Sequence, residues 1–212
     1  KDIYAKNPKV DGLVLLKHGI FSFGATARQA YELMIELVTL AERRLAKGRK
    51  NIFAPIKLPA KLATVAEIAP ILRGLAAIPT DAPNGQYQRW VLDGRSNPAI
   101  LNFVNGDDVA RYSQQGTATP DHVIRTKGQP LILPAPEAGK LAEFKAGAAK
   151  ALDAYKAAYH AYFERNNAQQ KAKKTELDRV PRLMLVPGIG LFALGKSAGD
   201  AAIAGDIAEC FV

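Results

Sequence analysis

"LLKHGIFSFGATARQAYELMIELVTLAE", residues 15–42, sets the terms for the whole chain. The run Leu13-Val14-Leu15-Leu16 has the composition of a short buried strand. It breaks at His18-Gly19 and resumes as extended chain through Phe21-Ser22-Phe23. Gly24 supplies a turn, and Thr26 followed by Gln29 makes the Ser/Thr-x-x-Glu/Gln capping box that opens a helix. Ala30, Leu33, Met34, Leu37, Val38, Ala41 and Leu45 then recur at helical spacing along one face, which predicts a long amphipathic helix ending near residues 47–49.

The same device returns at the other end. An offset of 171 places Gly19 on Gly190, Phe21 on Phe192, Gly24 on Gly195, Thr26 on Ser197, Ala27 on Ala198 and Ala30 on Ala201. Leu13 to Leu15 fall on Met184 to Val186. A strand, a glycine break, a Phe-x-apolar-Gly run, a hydroxyl helix cap and an Ala-x-x-Ala helix start therefore occur twice in one order, which reads as duplication. Of the positions that differ the informative one is His18, which falls opposite Ile189, since an imidazole can ligate a metal where an aliphatic side chain cannot.

Between the repeats, residues 64–77 predict a helix interrupted at Pro70. Arg89-Trp90-Val91-Leu92 and Ile100-Leu101-Asn102-Phe103-Val104 read as two strands joined by a turn over residues 93–98, and residues 107–114 as a short helix. "TATPDHVIRTKGQPLIL", residues 117–133, has a tight polar centre and a strand-like exit. Residues 138–174 read as a long amphipathic helix, with Leu141, Phe144, Ala148, Leu152, Tyr155 and Tyr159 on one face.

The 212 residues and an apolar fraction of 48% suit a folded chain with a sizeable core. No apolar run approaches the roughly 20 residues that cross a bilayer, so no membrane role is expected and a cytoplasmic location is. The single cysteine, Cys210, excludes an internal disulfide framework. A net charge of +9 raises the question of an anionic partner, but the positive charge is spread, with one denser run at Lys171 to Lys174. Solvated helix faces account for it without nucleic acid. The chain opens at Lys1 in what reads as ordered sequence, from which we expect a piece of something longer.

The quoted stretch resembles the strand-turn-helix of the class II aldolase/adducin family, with its apolar strand, His-Gly pair and helix containing Ala-Tyr. "GTATPDHVIRTKGQPLIL" and "LVPGIGLFALGKSAGDAAIAGDIAE", residues 185–209, resemble more narrowly the aldolase part of bifunctional rhamnulose-phosphate aldolase/short-chain dehydrogenase proteins. The resemblance implies an α/β fold of three layers, α/β/α, with a mixed, largely antiparallel central sheet, and assembly into homo-oligomers. It implies a divalent metal, usually zinc, held by a His-x-His pair and the His-Gly histidine, which stabilises the enediolate formed when a sugar phosphate is cleaved. That last histidine maps onto His18. The chain has no His-x-His pair, since its histidines are His18, His122 and His160. On this reading residues 1–48 are the tail of one aldolase-like unit, and residues 52–212 a second, shortened copy without metal ligands. The remaining ligands and the proton-handling glutamate would lie upstream and a dehydrogenase downstream, leaving this piece inactive alone. An adducin-like, non-catalytic interaction module is the alternative. A partly buried histidine at a strand end is the plainer reading of His18.

Other candidates are each open to two readings. His122 with Arg125 and Lys127 could grip a sugar phosphate, or Thr119-Pro120-Asp121 could cap a turn while the bases face water. His160 between Tyr159 and Tyr162 reads as a satisfied surface or interface histidine before a catalytic one, and the tyrosines as core or helix packing before a platform for stacked bases. Gly188-Ile189-Gly190 followed by Gly195 misses the Gly-x-Gly-x-x-Gly spacing of a dinucleotide loop.

Overall fold

A computed structural model describes residues 2–48, 54–81, 83, 85–210 and 212. The expected domain limits at residues 1 and 52 lie outside the described residues, as do Arg49 of the first helix end, residues 82 and 84 of a turn-rich run, and the side chain of Asp121. The chain divides into two compact units, Lys1–Ile52 with Ala118–Pro120, and Phe53–Thr117 with Asp121–Val212.

The first unit contains α1 (Asp2–Lys6), β1 (Gly12–Leu15), β2 (Gly19–Ser22) and the 20-residue α2 (Ala27–Ala46). β1 and β2 pair antiparallel from Gly12 opposite Ser22 to Leu15 opposite Gly19. The Ser22 hydroxyl donates to the Ala30 carbonyl at 2.8 Å, so the Gly12/Ser22 side of the hairpin faces α2. None of the residues of α2 is buried.

The second unit opens with α3 (Val65–Leu75), followed by β3 (Ile78–Pro79), β4 (Tyr87–Gln88), β5 (Val91–Arg95), α4 (Pro98–Val104), α5 (Val109–Tyr112) and α6 (Pro120–Thr126). β6 (Leu131–Ile132), the 28-residue α7 (Leu141–Ala168), β7 (Leu183–Val186), β8 (Gly190–Gly195) and α8 (Ala198–Glu209) complete it. β3 and β4 form a small ladder of their own. The main sheet runs β5-β8-β7-β6, antiparallel in its first two pairings and parallel in the third. The result is a mixed α/β structure with a small mixed sheet. No helix among the described residues is long and apolar enough to cross a membrane.

Every residue of β7 and β8 is buried, and the alternation of side chains assigns them to two cores. Met184, Val186, Phe192 and Leu194 join Ile68 and Leu72 of α3 and Phe144, Ala148 and Leu152 of α7. Leu183, Leu185, Leu191 and Ala193 join Ile100, Phe103 and Val104 of α4, Val109 of α5, and Ala204 and Ala208 of α8. Full burial of a large apolar side chain stabilises by about 1.5–3 kcal/mol, so this hairpin is a major source of folding energy. Arg95 ties its margin to α8: the guanidinium meets Asp93 at 2.9 Å, Asp206 at 2.7 Å and Glu209 at 3.4 Å, and donates to the Ala202 carbonyl at 2.9 Å.

Several expectations need correction. Ile100–Val104 is not a strand but lies in α4, because Asn97 caps the helix by accepting from the Ile100 amide at 2.8 Å and Pro98 is preset for its first turn. The strand before it includes Asp93-Gly94-Arg95, which the sequence placed in a turn, and excludes Arg89 and Trp90. Pro70 does not interrupt α3, which is held by a complete Thr64–Glu67 capping box and by the full burial of Ile68 and Leu72 on either side. Residues 107–114 keep only the four-residue α5, and α7 is shorter at both ends than residues 138–174. The polar centre of residues 117–133 is helical, as α6.

The two hairpin-helix segments match in detail. β7 and β8 pair from Leu183 opposite Ala193 to Val186 opposite Gly190, the register of β1 and β2 shifted by the same offset. The hydroxyls of Thr26 and Ser197 accept from the amides of Gln29 and Asp200 at 3.2 and 3.1 Å. A Cβ added at Gly24 would stand 2.5 Å from the Ala30 nitrogen, and one at Gly195 would collide with the Ala201 nitrogen and lie 2.6 Å from the Asp200 carbonyl carbon. Strand exit and helix start are thus backbone against backbone. Gly195→Ala should cost about 3 kcal/mol, the scale of a steric fault in a packed region, whereas Gly199→Ala, whose methyl would meet nothing closer than 3.9 Å, should be neutral or stabilising by up to about 1 kcal/mol. Chemical denaturation of both variants checks this, and equal losses would contradict it.

Candidate functional site

His18 sits at the tip of the first hairpin. β1 ends at Leu15, the His18 amide donates back to the Leu15 carbonyl at 3.1 Å, Lys17 takes a left-handed φ of 57°, and Gly19 opens β2 at a φ of 150°. That last value is one a side chain rarely tolerates, so the glycine after the histidine is a backbone requirement. The imidazole is exposed and stacks on Phe21, ring centroids 6.0 Å apart and planes inclined by 19°. It is not the partly buried histidine of the plainer reading. The helix behind it is anchored by Thr26, although Gln29 reaches the Ala25 amide at 2.9 Å rather than that of the cap residue, so the capping box is displaced by one residue.

At the equivalent tip of the second hairpin the Ile189 amide donates to the Val186 carbonyl at 3.0 Å, and Gly190 has a φ of 138°. Ile189 packs against the core formed with α3 and α7. The same backbone thus presents an imidazole to solvent in one case and an aliphatic side chain to a core in the other. Among the described residues no group of three or more His, Cys, Asp or Glu side chains could hold a metal ion. His18 is a single donor, and the residues present do not by themselves fit the divalent cation that the family resemblance implies.

The cluster His122, Arg125 and Lys127 is not brought to one surface. His122 and Lys127 are buried and Arg125 is exposed. The Thr126 hydroxyl donates to the His122 carbonyl at 2.6 Å, closing α6, and Lys127 follows with a left-handed φ of 62°. Its ammonium donates to the Asp178 carbonyl, lies 3.7 Å from the Asp178 carboxylate and sits 4.0 Å over the Tyr159 ring. Arg182 grips the same carboxylate through two bonds of 2.9 and 2.6 Å and lies 4.2 Å over Trp90. The arrangement is an internal tie between the end of α6, the face of α7 and the lead into β7. Its electrostatics follow from that burial. Desolvation, aided by Arg182, lowers the Lys127 ammonium to about 8, while Arg182 and Lys127 hold Asp178 below the usual carboxylate range against its own desolvation. Burial pushes the Tyr155 phenol upward, with Tyr159 adding to it.

Sequence reasoning missed Asp178 and Arg182 as partners of Lys127, because 51 residues separate the lysine from Asp178 and no local spacing announces the pair. It also favoured packing for Tyr159 and weighed no cation there, whereas the ring carries one on its face. His160 behaves as expected of a satisfied surface histidine: its Nδ1 lies 3.1 Å from a Glu176 carboxylate oxygen, a carboxylate that Arg179 also holds. Cys210 is exposed at the end of α8.

Residues 63–212 match the profile of the family described as aldolase class II, second domain, and this chain therefore belongs to that family. It is also 28% identical over 213 residues to "Uncharacterized oxidoreductase YuxG" of Bacillus subtilis (strain 168), an alignment that takes in 95% of this chain and 29% of that protein. The chain thus spans under a third of the length of this relative. No solved structure matches it.

The lysine makes a prediction with a definite sign. A lysine normally titrates near 10.4, so between about pH 8 and that value the unfolded chain binds more protons than the folded one at this site. The cost of burying the charge is therefore present in full below about pH 8 and relieved as pH rises. The stability of the native chain relative to a Lys127→Met variant should increase from pH 7.5 to 9.5 by roughly 1.4 kcal/mol per pKa unit of relief attained. Urea melts of the pair across that range check it, and a pH-independent difference would contradict it.

Proposed function

We propose that this chain is part of a metal-dependent class II sugar-phosphate aldolase, a carbon-carbon lyase, joined in one polypeptide to a short-chain dehydrogenase. The observation that carries the proposal is the family match over residues 63–212, together with the His18-Gly19 hairpin tip that the family's third metal histidine resembles. The dehydrogenase half draws support from the oxidoreductase in the name of a relative much longer than this chain. In this reading residues 1–48 close one aldolase-like unit and residues 52–212 form a second, shortened copy. The shared register of the two hairpins, their equivalent caps and their equivalent glycines support a duplication. The cores on the two faces of the main sheet support a three-layer α/β/α arrangement with its largely antiparallel sheet.

His18 would contribute one donor to a zinc or similar cation, and the other donors and the glutamate that moves the proton would come from sequence outside these 212 residues. When bound, the metal would supply the charge that stabilises an enediolate. Of the second cluster, Arg125 is the exposed member, so a contact to the phosphate of a sugar phosphate would run through Arg125 while His122 and Lys127 remain internal. The chain alone would be inactive, and the whole protein would act as a cytoplasmic homo-oligomer without nucleic-acid or membrane partners. An adducin-like interaction module is the second reading, favoured by the exposure of Leu15 and Phe21 beside His18.

Metal analysis and aldol-cleavage assays separate the readings. The 212-residue chain should purify with substoichiometric zinc and no turnover of sugar phosphates. The natural polypeptide that contains it should hold a divalent metal, and His18→Ala should remove that metal and lower cleavage by at least about 100-fold, the scale of losing a metal-dependent stabilisation. Tight stoichiometric zinc and turnover in the short chain would overturn the proposal, and a metal-free natural polypeptide would favour the interaction module.

A further inference from the structure

The two hairpins differ most in what covers them. β7 and β8 lie between β5 and β6 and are buried on both faces, whereas the sheet of β1 and β2 has no third strand among the described residues. A two-stranded ribbon is marginal in water, and three strands or a packed apolar face are needed for independent stability. In the first hairpin α2 lies on the Gly12/Ser22 side, as the Ser22 to Ala30 bond shows. The other side carries Leu15, Phe21 and Phe23, which are 41%, 47% and 37% exposed.

Under the common register these three residues correspond to Val186, Phe192 and Leu194, which are at most 2% exposed. In the second unit that same face is roofed by α3 and α7 through Ile68, Leu72, Phe144 and Leu152. The chain therefore contains its own template for what an apolar face of this shape receives: two helices above it and a strand along each margin.

We propose that the Leu15/Phe21/Phe23 face docks a helix pair and flanking strands supplied by a further segment of the same polypeptide, built on the plan of α3, α7, β5 and β6. This rests on the reading of residues 1–48 as the tail of another aldolase-like unit. A second copy of the chain does not meet the requirement, because its α3 and α7 are already engaged with its own β7 and β8. There is room for such a segment in a protein built like the Bacillus subtilis relative, of which this chain spans 29%. Docking would also bring the roofing element to the hairpin tip, where Ile189 of the second unit meets the core under α3 and α7.

Hydrogen exchange read by mass spectrometry tests this on two proteins, the 212-residue chain and the natural polypeptide that contains it, with light scattering for oligomeric state. Amides of residues 12–22 should exchange quickly in the short chain. In the natural polypeptide they should exchange roughly 100-fold or more slowly, at a rate approaching that of residues 183–195. Phe21→Asp in the natural polypeptide should abolish the protection of residues 12–22 and leave that of residues 183–195 intact. Equal, fast exchange of residues 12–22 in both proteins would overturn the proposal. So would a dimer of the short chain in which those residues become protected, since the face would then be an interface between copies. Protection in the natural polypeptide without aldol cleavage would uphold the docking surface while removing the catalytic reading.

Discussion

The second unit is organised by a hairpin that has no polar face. With Met184, Val186, Phe192 and Leu194 on one side and Leu183, Leu185, Leu191 and Ala193 on the other, β7 and β8 can exist in water only if both sides are covered. The rest of the unit answers that demand. α3 and α7 cover one side, α4, α5 and α8 the other, and β5 and β6 satisfy the hydrogen-bonding margins. Gly195 at the exit of β8 lets α8 fold back at backbone contact distance, which keeps its small residues Ala204 and Ala208 against the sheet.

Charge is admitted to this structure under the same discipline. Lys127 reaches inward only where a carbonyl, a carboxylate and an aromatic face receive it, and Asp178 is shared with an arginine that also stacks on Trp90. Burial strips the lysine of hydration and Arg182 repels it, and the one carboxylate the two cations share does not make up the loss, which is why its ammonium loses its proton more readily than usual. Such a tie fixes geometry more than it adds stability, because desolvating the ions consumes much of their attraction. It holds the lead into β7 against α7, and so sets where the central hairpin begins.

What could be read from the sequence was local. The strands, their glycine breaks, the hydroxyl caps and the starts of α2 and α8 are each specified within about a dozen residues, and they fell within a residue or two of where composition and spacing put them. Ile100–Val104 misled because an apolar run of five suits a strand or one buried helical turn equally well, and the deciding signal was the Asn97-Pro98 pair before it. Pro70 misled because burial of Ile68 and Leu72 outweighs one lost hydrogen bond. The candidate site was less legible. Spacing sets His18 opposite Ile189, but the fate of Lys127 depends on Asp178 and Tyr159, which only folding brings near.

One small residue in α8 carries an evolutionary consequence. The Arg95 guanidinium lies across Gly205 so closely that a Cβ there would be 2.6 Å from its central carbon. The two positions, on a strand and on a helix over a hundred residues later, share one volume and one set of hydrogen bonds. Lineages descended from the same ancestor should therefore couple these residues: where the helix gains a methyl group, the long base on the strand has to swing aside or give way to something shorter, and its ties to the acidic residues at 93 and 206 loosen with it.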